Sequence, residues 1–187
     1  MSLAQIERFA VRQKITLMVN RYAIHALGPN DELGPLLAVA QQKRLAFKEQ
    51  VTFYSDDSRS VPVFSFKARQ AIDLGATYDV LDASGTPIGL FRKDFKASLL
   101  RSTWFLEAAG IGARGEERSA ALAIIRRFIN LPFTFHFDFH DPAGVPAMFV
   151  ERKFSLRDHY TVTVPGARVD GRVAAAMAVA LDALQGR

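Results

Sequence analysis

The chain has 187 residues, of which 49% are hydrophobic and 23% charged, proportions typical of a globular protein with one sizeable core. The formal net charge of +5 permits anionic partners but is too small to indicate a dedicated nucleic-acid-binding protein. The absence of cysteine excludes disulfides, thiolate nucleophiles and cysteine-ligated metal centres. Because the N-terminus has no apolar run, we expect no secretory signal. No segment of the sequence is long and apolar enough to span a bilayer, so we expect no transmembrane segment and a cytoplasmic location.

Alternation of apolar and polar residues predicts strands along most of the chain. In order, the predicted strands cover residues 14–25, 36–41, 45–54, 61–68, 77–81, 87–92, 99–107, 133–140, 148–154 and 159–164. Residues 3–10 are expected to form a short helical turn or an extended lead-in. Loops are predicted at 28–35, 55–60 and 110–115, which are rich in glycine or polar residues. Helical spacing of apolar residues predicts a helix over 116–130.

A second helix is predicted at the C-terminus, where every residue from Val173 to Leu184 is apolar except Asp182. A helix without a polar stripe is expected to be buried on all sides, and this one is too short to cross a bilayer. Asp170 is the expected N-cap. In a β-rich chain, such a slim apolar helix indicates a sheet wrapped around it, with Asp182 at the mouth. The residues expected to fill the interior are Val173, Met177, Val179, Leu181 and Leu184.

Two segments of the chain repeat one pattern of aromatic strand, Asp-x-x-Gly turn, apolar strand and basic exit. This pattern predicts two related hairpins at corresponding positions of one barrel, unless shared turn chemistry alone accounts for it. The residues of the first segment are Asp79, Asp82, Gly85, Pro87 and Phe95, and those of the second are Asp138, Asp141, Gly144, Pro146 and Phe154.

The run from Tyr78 to Gly89, followed by Arg92-Lys93 and by Arg101-Ser-Thr-Trp104, resembles the LURP-one-related, tubby C-terminal-like group, which includes the phospholipid scramblases. The apolar C-terminal segment is similar to that group's closing helix. The resemblance implies a mainly β fold, a closed antiparallel barrel of about twelve strands around a buried helix. It implies one domain over residues 1–187, with its core at about 14–184. Scramblases carry a cysteine cluster and a proline-rich N-terminal extension that this chain lacks, so scrambling activity is not carried over.

One strand carries three side chains of types that ligate metals, His136, Asp138 and His140. They favour either a solvent-facing strand or a divalent metal site. Since Asp138 has a repeat partner in Asp79, it is first of all a feature of the hairpin. The chain lacks a Gly-x-Ser-x-Gly elbow, a Walker loop and a dinucleotide fingerprint. We therefore expect neither an enzyme nor a cofactor.

Basic residues follow both predicted hairpins, where they are either solvated charges or contacts to acidic lipid headgroups. Tubby-type domains bind phosphoinositides and scramblases act on phospholipids, so the resemblance supports the lipid hypothesis. The candidate residues are Arg92, Lys93, Lys96, Arg101, Arg152, Lys153 and Arg157. A strand alternates its faces, so Arg92 and Lys93 are not expected to point the same way.

The preferred functional hypothesis is therefore a non-catalytic barrel protein, cytoplasmic or peripheral to a membrane, that binds anionic phospholipid surfaces or a protein partner. One alternative is a protein that binds an apolar small molecule in a gap between barrel and helix. The other is a metal-dependent enzyme that uses the strand of His136, Asp138 and His140. No nucleic-acid partner is expected.

Overall fold

The computed structural model describes residues 2–15, 19–43, 50–69, 77–94, 102–118, 136–153 and 159–185. Twelve antiparallel strands follow one another around a closed barrel, and β1 pairs with β12 to complete the ring. The strands are β1 (Arg8–Ile15), β2 (Val19–Leu27), β3 (Leu33–Lys43), β4 (Gln50–Tyr54), β5 (Pro62–Ala68), β6 (Thr77–Asp82), β7 (Pro87–Asp94), β8 (Thr103–Ala108), β9 (Ile111–Glu117), β10 (His136–His140), β11 (Pro146–Lys153) and β12 (His159–Thr163). Ring closure pairs every strand on both sides, which removes the exposed edges of an open sheet.

The C-terminal helix α1 (Gly171–Gln185) runs through the barrel. Every side chain from Val173 to Leu181 is fully buried, which confirms Val173, Met177, Val179 and Leu181 as interior residues. The side chain of Leu184 lies outside the described part. Inward aromatic rings of the wall complete this core, for example Phe53 and Phe64, whose centroids are 4.1 Å apart. Alanine on the helix leaves the volume that these large rings need.

The helix begins where it was predicted to begin. Asp170 Oδ1 accepts a hydrogen bond of 2.9 Å from the backbone amide of Arg172, which satisfies a donor that the first helical turn leaves unpaired. A close approach fixes the position of the helix against the wall: a Cβ added at Gly89 would lie 2.8 Å from Cγ2 of Val173. Glycine at this position of β7 therefore admits the first turn of α1.

The two predicted hairpins share the same turn geometry. In each, the Asp Oδ1 accepts hydrogen bonds of 2.9–3.0 Å from the backbone amides two and four residues further along, at Asp82 and at Asp141. Gly85 and Gly144 adopt positive φ values of 86° and 79°, which glycine tolerates best. The two Asp-x-x-Gly segments therefore form equivalent turns, β6–β7 and β10–β11, as the repeat predicts.

Several predicted boundaries are wrong. Residues 110–115 were expected to form a loop, but strand β9 covers Ile111–Glu117, so Glu116 belongs to a strand rather than to a helix start. The remainder of the helix predicted over 116–130 lies almost wholly outside the described residues. The strand predicted over 14–25 divides into the ends of β1 and β2, and β3 already begins at Leu33 within the predicted loop 28–35. Residues 3–10 contain both expected features, a 3-10 turn at Leu3–Gln5 and the start of β1.

Candidate functional site

A groove of about 790 Å³ crosses the outer faces of strands β7 to β10. It contains three of the candidate binding or metal-ligating residues, Arg92, Asp138 and His140, which come from two distant segments of the chain. The strand register explains this: Arg92 pairs with Phe105, Phe105 with Arg114, and Arg114 with His140. One row of side chains thus runs across all four strands. We call this surface the β7–β10 groove.

Two of the arginines in the groove are already paired with carboxylates. Arg114 lies 2.9 Å from Glu116, and Arg118 donates two hydrogen bonds, of 2.9 and 2.7 Å, to the two carboxylate oxygens of Asp138. The hydrogen bond to Asp138 raises the pKa of Arg118. Arg118 was not predicted, because nothing local in the sequence connects it to a partner 20 positions away.

The same ion pair occurs at the first hairpin, where Arg69 donates to both oxygens of Asp79 at 2.7–3.0 Å. In both cases the backbone amide of the arginine also donates, at 2.9 Å, to the carbonyl two residues before the aspartate. Asp79 and Asp138 therefore hold equivalent positions, each fixing an arginine that follows the neighbouring strand. This geometry supports the interpretation of Asp138 as a feature of the hairpin.

His136, Asp138 and His140 share the outer face of β10 but do not converge on one point. Asp138 is engaged by Arg118, and the ring of His140 contacts Phe149 edge-on at 6.1 Å. Over the described ranges, no three His, Asp or Glu side chains form a group that could hold a metal ion.

The predicted lipid-binding cations divide between the two faces of the wall. Arg92 is exposed on the outer face, with its guanidinium 4.2 Å from the centre of the Phe105 ring. Lys93 lies over the buried ring of Trp104, and Arg152 over the buried ring of Tyr160, each at 5.8 Å. The opposite facing of Arg92 and Lys93 follows the expected alternation. Lys96, Arg101 and Arg157 lie outside the described residues, as does the side chain of Lys153 at the end of β11.

Charge is distributed unevenly around the barrel. The six neighbouring strands β12, β1, β2, β3, β4 and β5 contain no Asp or Glu within their bounds, whereas each of β6 to β11 contains at least one. We call the outer faces of the first six strands the basic wall. Its exposed cations Arg12, Lys14, Arg21 and Lys67 make no ion pair with any described residue.

Lys14 and Arg21 face each other directly across β1 and β2, and Arg12 lies one row away. Like charges in directly opposed positions of an antiparallel pair destabilise it. Among the described residues, carboxylates border this half of the barrel at its ends, where Glu7 lies before β1, Asp31 and Glu32 in the turn β2–β3, and Asp56 and Asp57 in the turn β4–β5. Two more lie on the flanking strands: Asp79 of β6 pairs with Lys67, and Glu151 of β11 pairs with Thr161. Asp31 is paired with Arg8, so it does not neutralise the cations near the other end of the strands.

Sequence reasoning missed the basic wall, although a signal was present. From Arg8 to Asn30 the chain contains three arginines and a lysine but no carboxylate. The interpretation of cations was limited to those that follow the two hairpins. Only the closed ring shows which strands adjoin β1 and β2. It also shows that these neighbours lack carboxylates.

Near the C-terminal end of α1, the half-buried Asp182 accepts hydrogen bonds from the hydroxyls of Tyr22, at 2.9 Å, and Tyr160. Burial, and after it the charge of Asp182, raises the pKa of Tyr22. Gln13 Nε2 donates to the Tyr22 hydroxyl at 3.4 Å. The carboxylate in the otherwise apolar helix is therefore compensated by two wall tyrosines.

Within the described part of the chain, no helix has both the length and the apolar character needed to cross a membrane. A closed twelve-stranded antiparallel barrel threaded by its own C-terminal helix places the protein in the tubby C-terminal-like class. The model of the LURP-one-related family matches residues 37–182. The chain therefore belongs to the LURP-one-related family. No curated protein matches its sequence.

Proposed function

We propose that this protein is a non-catalytic binding protein that attaches peripherally to anionic phospholipid surfaces through its basic wall. The supporting observation is the segregation of charge, since six contiguous strands carry no carboxylate while four of them, β1, β2, β3 and β5, carry lysine or arginine. A protein whose cations were needed only for solubility would be expected to intersperse both signs, as β6 to β11 do. Membership in a family of tubby-like barrels favours binding over catalysis.

The magnitude of the expected attraction supports this assignment. A lysine or arginine near an anionic bilayer contributes about 1 kcal/mol. Arg12, Lys14, Arg21 and Lys67 are exposed and unpaired among the described residues, so binding would not first require an internal ion pair to break. Repulsion between Lys14 and Arg21 in the free protein would be relieved by anionic headgroups placed between them.

Flotation with phosphatidylcholine vesicles, with and without phosphatidylserine, tests the proposal. We expect the protein to float only with vesicles that contain phosphatidylserine, and to be released as salt is raised, because salt screens exposed charges. Flotation that is independent of acidic lipid, or that is insensitive to salt, would contradict electrostatic attachment. No flotation with either kind of vesicle would contradict membrane attachment and favour the hypothesis of a protein partner.

A charge-matched pair of triple variants shows whether the location of the cations matters. The variant Arg12→Gln/Lys14→Gln/Arg21→Gln removes three charges from the basic wall. The variant Arg69→Gln/Arg114→Gln/Arg118→Gln removes three charges that are paired with carboxylates and lie outside the strands of the basic wall. At about 1 kcal/mol each, we expect the first variant to lower vesicle partitioning on the order of 100-fold. The second is expected to change it far less. Equal losses would show that net charge alone governs binding.

A further inference from the structure

The β7–β10 groove retains one cation and one anion after its internal pairs are assigned. Arg114 and Arg118 are neutralised by neighbouring carboxylates, as described above. In contrast, Arg92 and Glu107 form no ion pair with any described residue, and both side chains are exposed. The pKa of Arg69 is raised chiefly by Asp79, with only a smaller contribution from the charge of Glu107. The groove therefore offers a positive and a negative contact to a ligand that enters it.

These two charges lie diagonally across strands β7 and β8. On the outer face, Arg92 of β7 pairs with Phe105 of β8, and Leu90 of β7 pairs with Glu107 of β8. The two charged residues therefore occupy opposite corners of a square of four neighbouring side chains. Diagonal neighbours in an antiparallel pair lie about 7–8 Å apart. The guanidinium of Arg92 lies over the Phe105 ring, and the half-buried Leu90 and Phe105 supply an apolar floor between the two charges.

A glycine keeps the neighbouring part of the groove open. Gly112 pairs with Glu107 in the register of β8 and β9, and a Cβ built on it would meet no atom within 4 Å. A larger side chain at this position would thus occupy the groove without straining the barrel. The groove volume of about 790 Å³ falls in the range of pockets that bind small molecules.

We propose that the β7–β10 groove binds a short zwitterionic ligand of dipeptide size with apolar side chains. The ligand carboxylate would pair with Arg92, its ammonium group with Glu107, and its side chains would contact Leu90 and Phe105. An extended dipeptide spans about 7 Å, because each residue adds at most about 3.6 Å. That length is comparable to the diagonal spacing of about 7–8 Å between the backbone positions of Arg92 and Glu107. This inference is independent of membrane binding, since β1 and β2 lie across the ring from β7 and β8.

Isothermal titration of the full chain with leucyl-leucine, its N-acetyl form and its C-terminal amide tests the assignment. We expect saturable binding of leucyl-leucine and about tenfold or greater loss on capping either terminus, because each cap removes one charged contact. Absence of saturable binding of leucyl-leucine would overturn the proposal. So would equal binding of all three compounds.

Variants assign each terminus to its partner. Arg92→Gln should weaken leucyl-leucine binding and have little effect on binding of the amide, whereas Glu107→Gln should weaken leucyl-leucine binding and spare the N-acetyl compound. Gly112→Val should abolish binding by filling the groove, with an unchanged melting temperature as evidence of intact folding. Arg59→Gln, in the exposed β4–β5 turn, is the matched control and should bind normally. If Gly112→Val and Arg92→Gln both bind leucyl-leucine as the unmodified chain does, the groove is not the site.

Discussion

At the scale of single residues, Asp182 shows how this barrel accommodates a charge on an otherwise apolar helix. Asp182 is half-buried, and the hydroxyls of Tyr22 and Tyr160 donate to its two carboxylate oxygens, which compensates the water that these oxygens lose. These bonds join α1 to strands β2 and β12, which lie on either side of β1 in the ring. The carboxylate therefore also fixes how far the helix extends through the barrel.

This arrangement predicts an alkaline limit to stability. The pKa of Tyr22 is raised in the folded state, first by burial and then by Asp182, whereas an unfolded tyrosine titrates near about 10. Below the pKa of unfolded tyrosine, both states keep the phenol protonated and the contribution of Tyr22 to stability is fully present. As pH rises above about 10, the unfolded state loses this proton more readily than the folded state, so the contribution is lost. Urea unfolding between neutral and strongly alkaline pH should therefore show a shallower alkaline loss in Tyr22→Phe than in the unmodified chain. Tyr54→Phe, on the outer wall, should retain the original slope; identical profiles for both variants would contradict the assignment.

At the scale of elements, α1 acts as the central layer of the core rather than as an appendage. The fully buried stretch from Val173 to Leu181 contains five alanines, and the wall supplies the large aromatic side chains. The helix and the inner face of the barrel stabilise each other, because removing either one would expose a large apolar surface to water. The helix and the barrel are therefore expected to fold as one unit.

Placing a charge in the middle of α1 tests this interdependence. Ala176 has no exposed surface, so Ala176→Lys must bury an ammonium group or expel the helix, at a cost of several kcal/mol. We expect this variant to lack a cooperative thermal transition by circular dichroism. Ala83→Lys, in the exposed β6–β7 turn, should melt like the unmodified chain. A transition of Ala176→Lys within a few degrees of the original would show that the helix is not required inside the barrel.

The elements that the sequence predicts correctly are those specified by local chemistry. The hairpins follow from Asp82 and Asp141, each of which binds amides of its own turn, and the buried helix follows from the lack of a polar stripe. Strand β9 was missed because its glycines suggest a loop. In the barrel, a Cβ on Gly115 would collide with the ring of Phe139, so this glycine makes room for a neighbour on β10 rather than for a turn. Local patterns do not reveal a requirement of that kind.

At the scale of the whole molecule, both candidate binding surfaces depend on which strands become neighbours. The row from Arg92 to His140 that crosses the β7–β10 groove requires four strands in register. The basic wall requires the pairing of β1 with β12, because this pairing places β12 beside β1–β5, which also lack carboxylates. The cations themselves are visible in the sequence, but their segregation from carboxylates is a property of the ring.

Site-directed fluorescence labelling shows whether the protein attaches to membranes through the basic wall. The chain has no cysteine, so Ala23→Cys and Gly112→Cys each provide a single labelling position. Ala23 pairs with Arg12 on the basic wall, whereas Gly112 lies in the β7–β10 groove. With vesicles containing phosphatidylserine, we predict that a probe at Ala23→Cys becomes protected from a water-soluble quencher while one at Gly112→Cys stays accessible. Protection at Gly112→Cys alone, or at neither position while the protein is vesicle-bound, would contradict attachment through this wall.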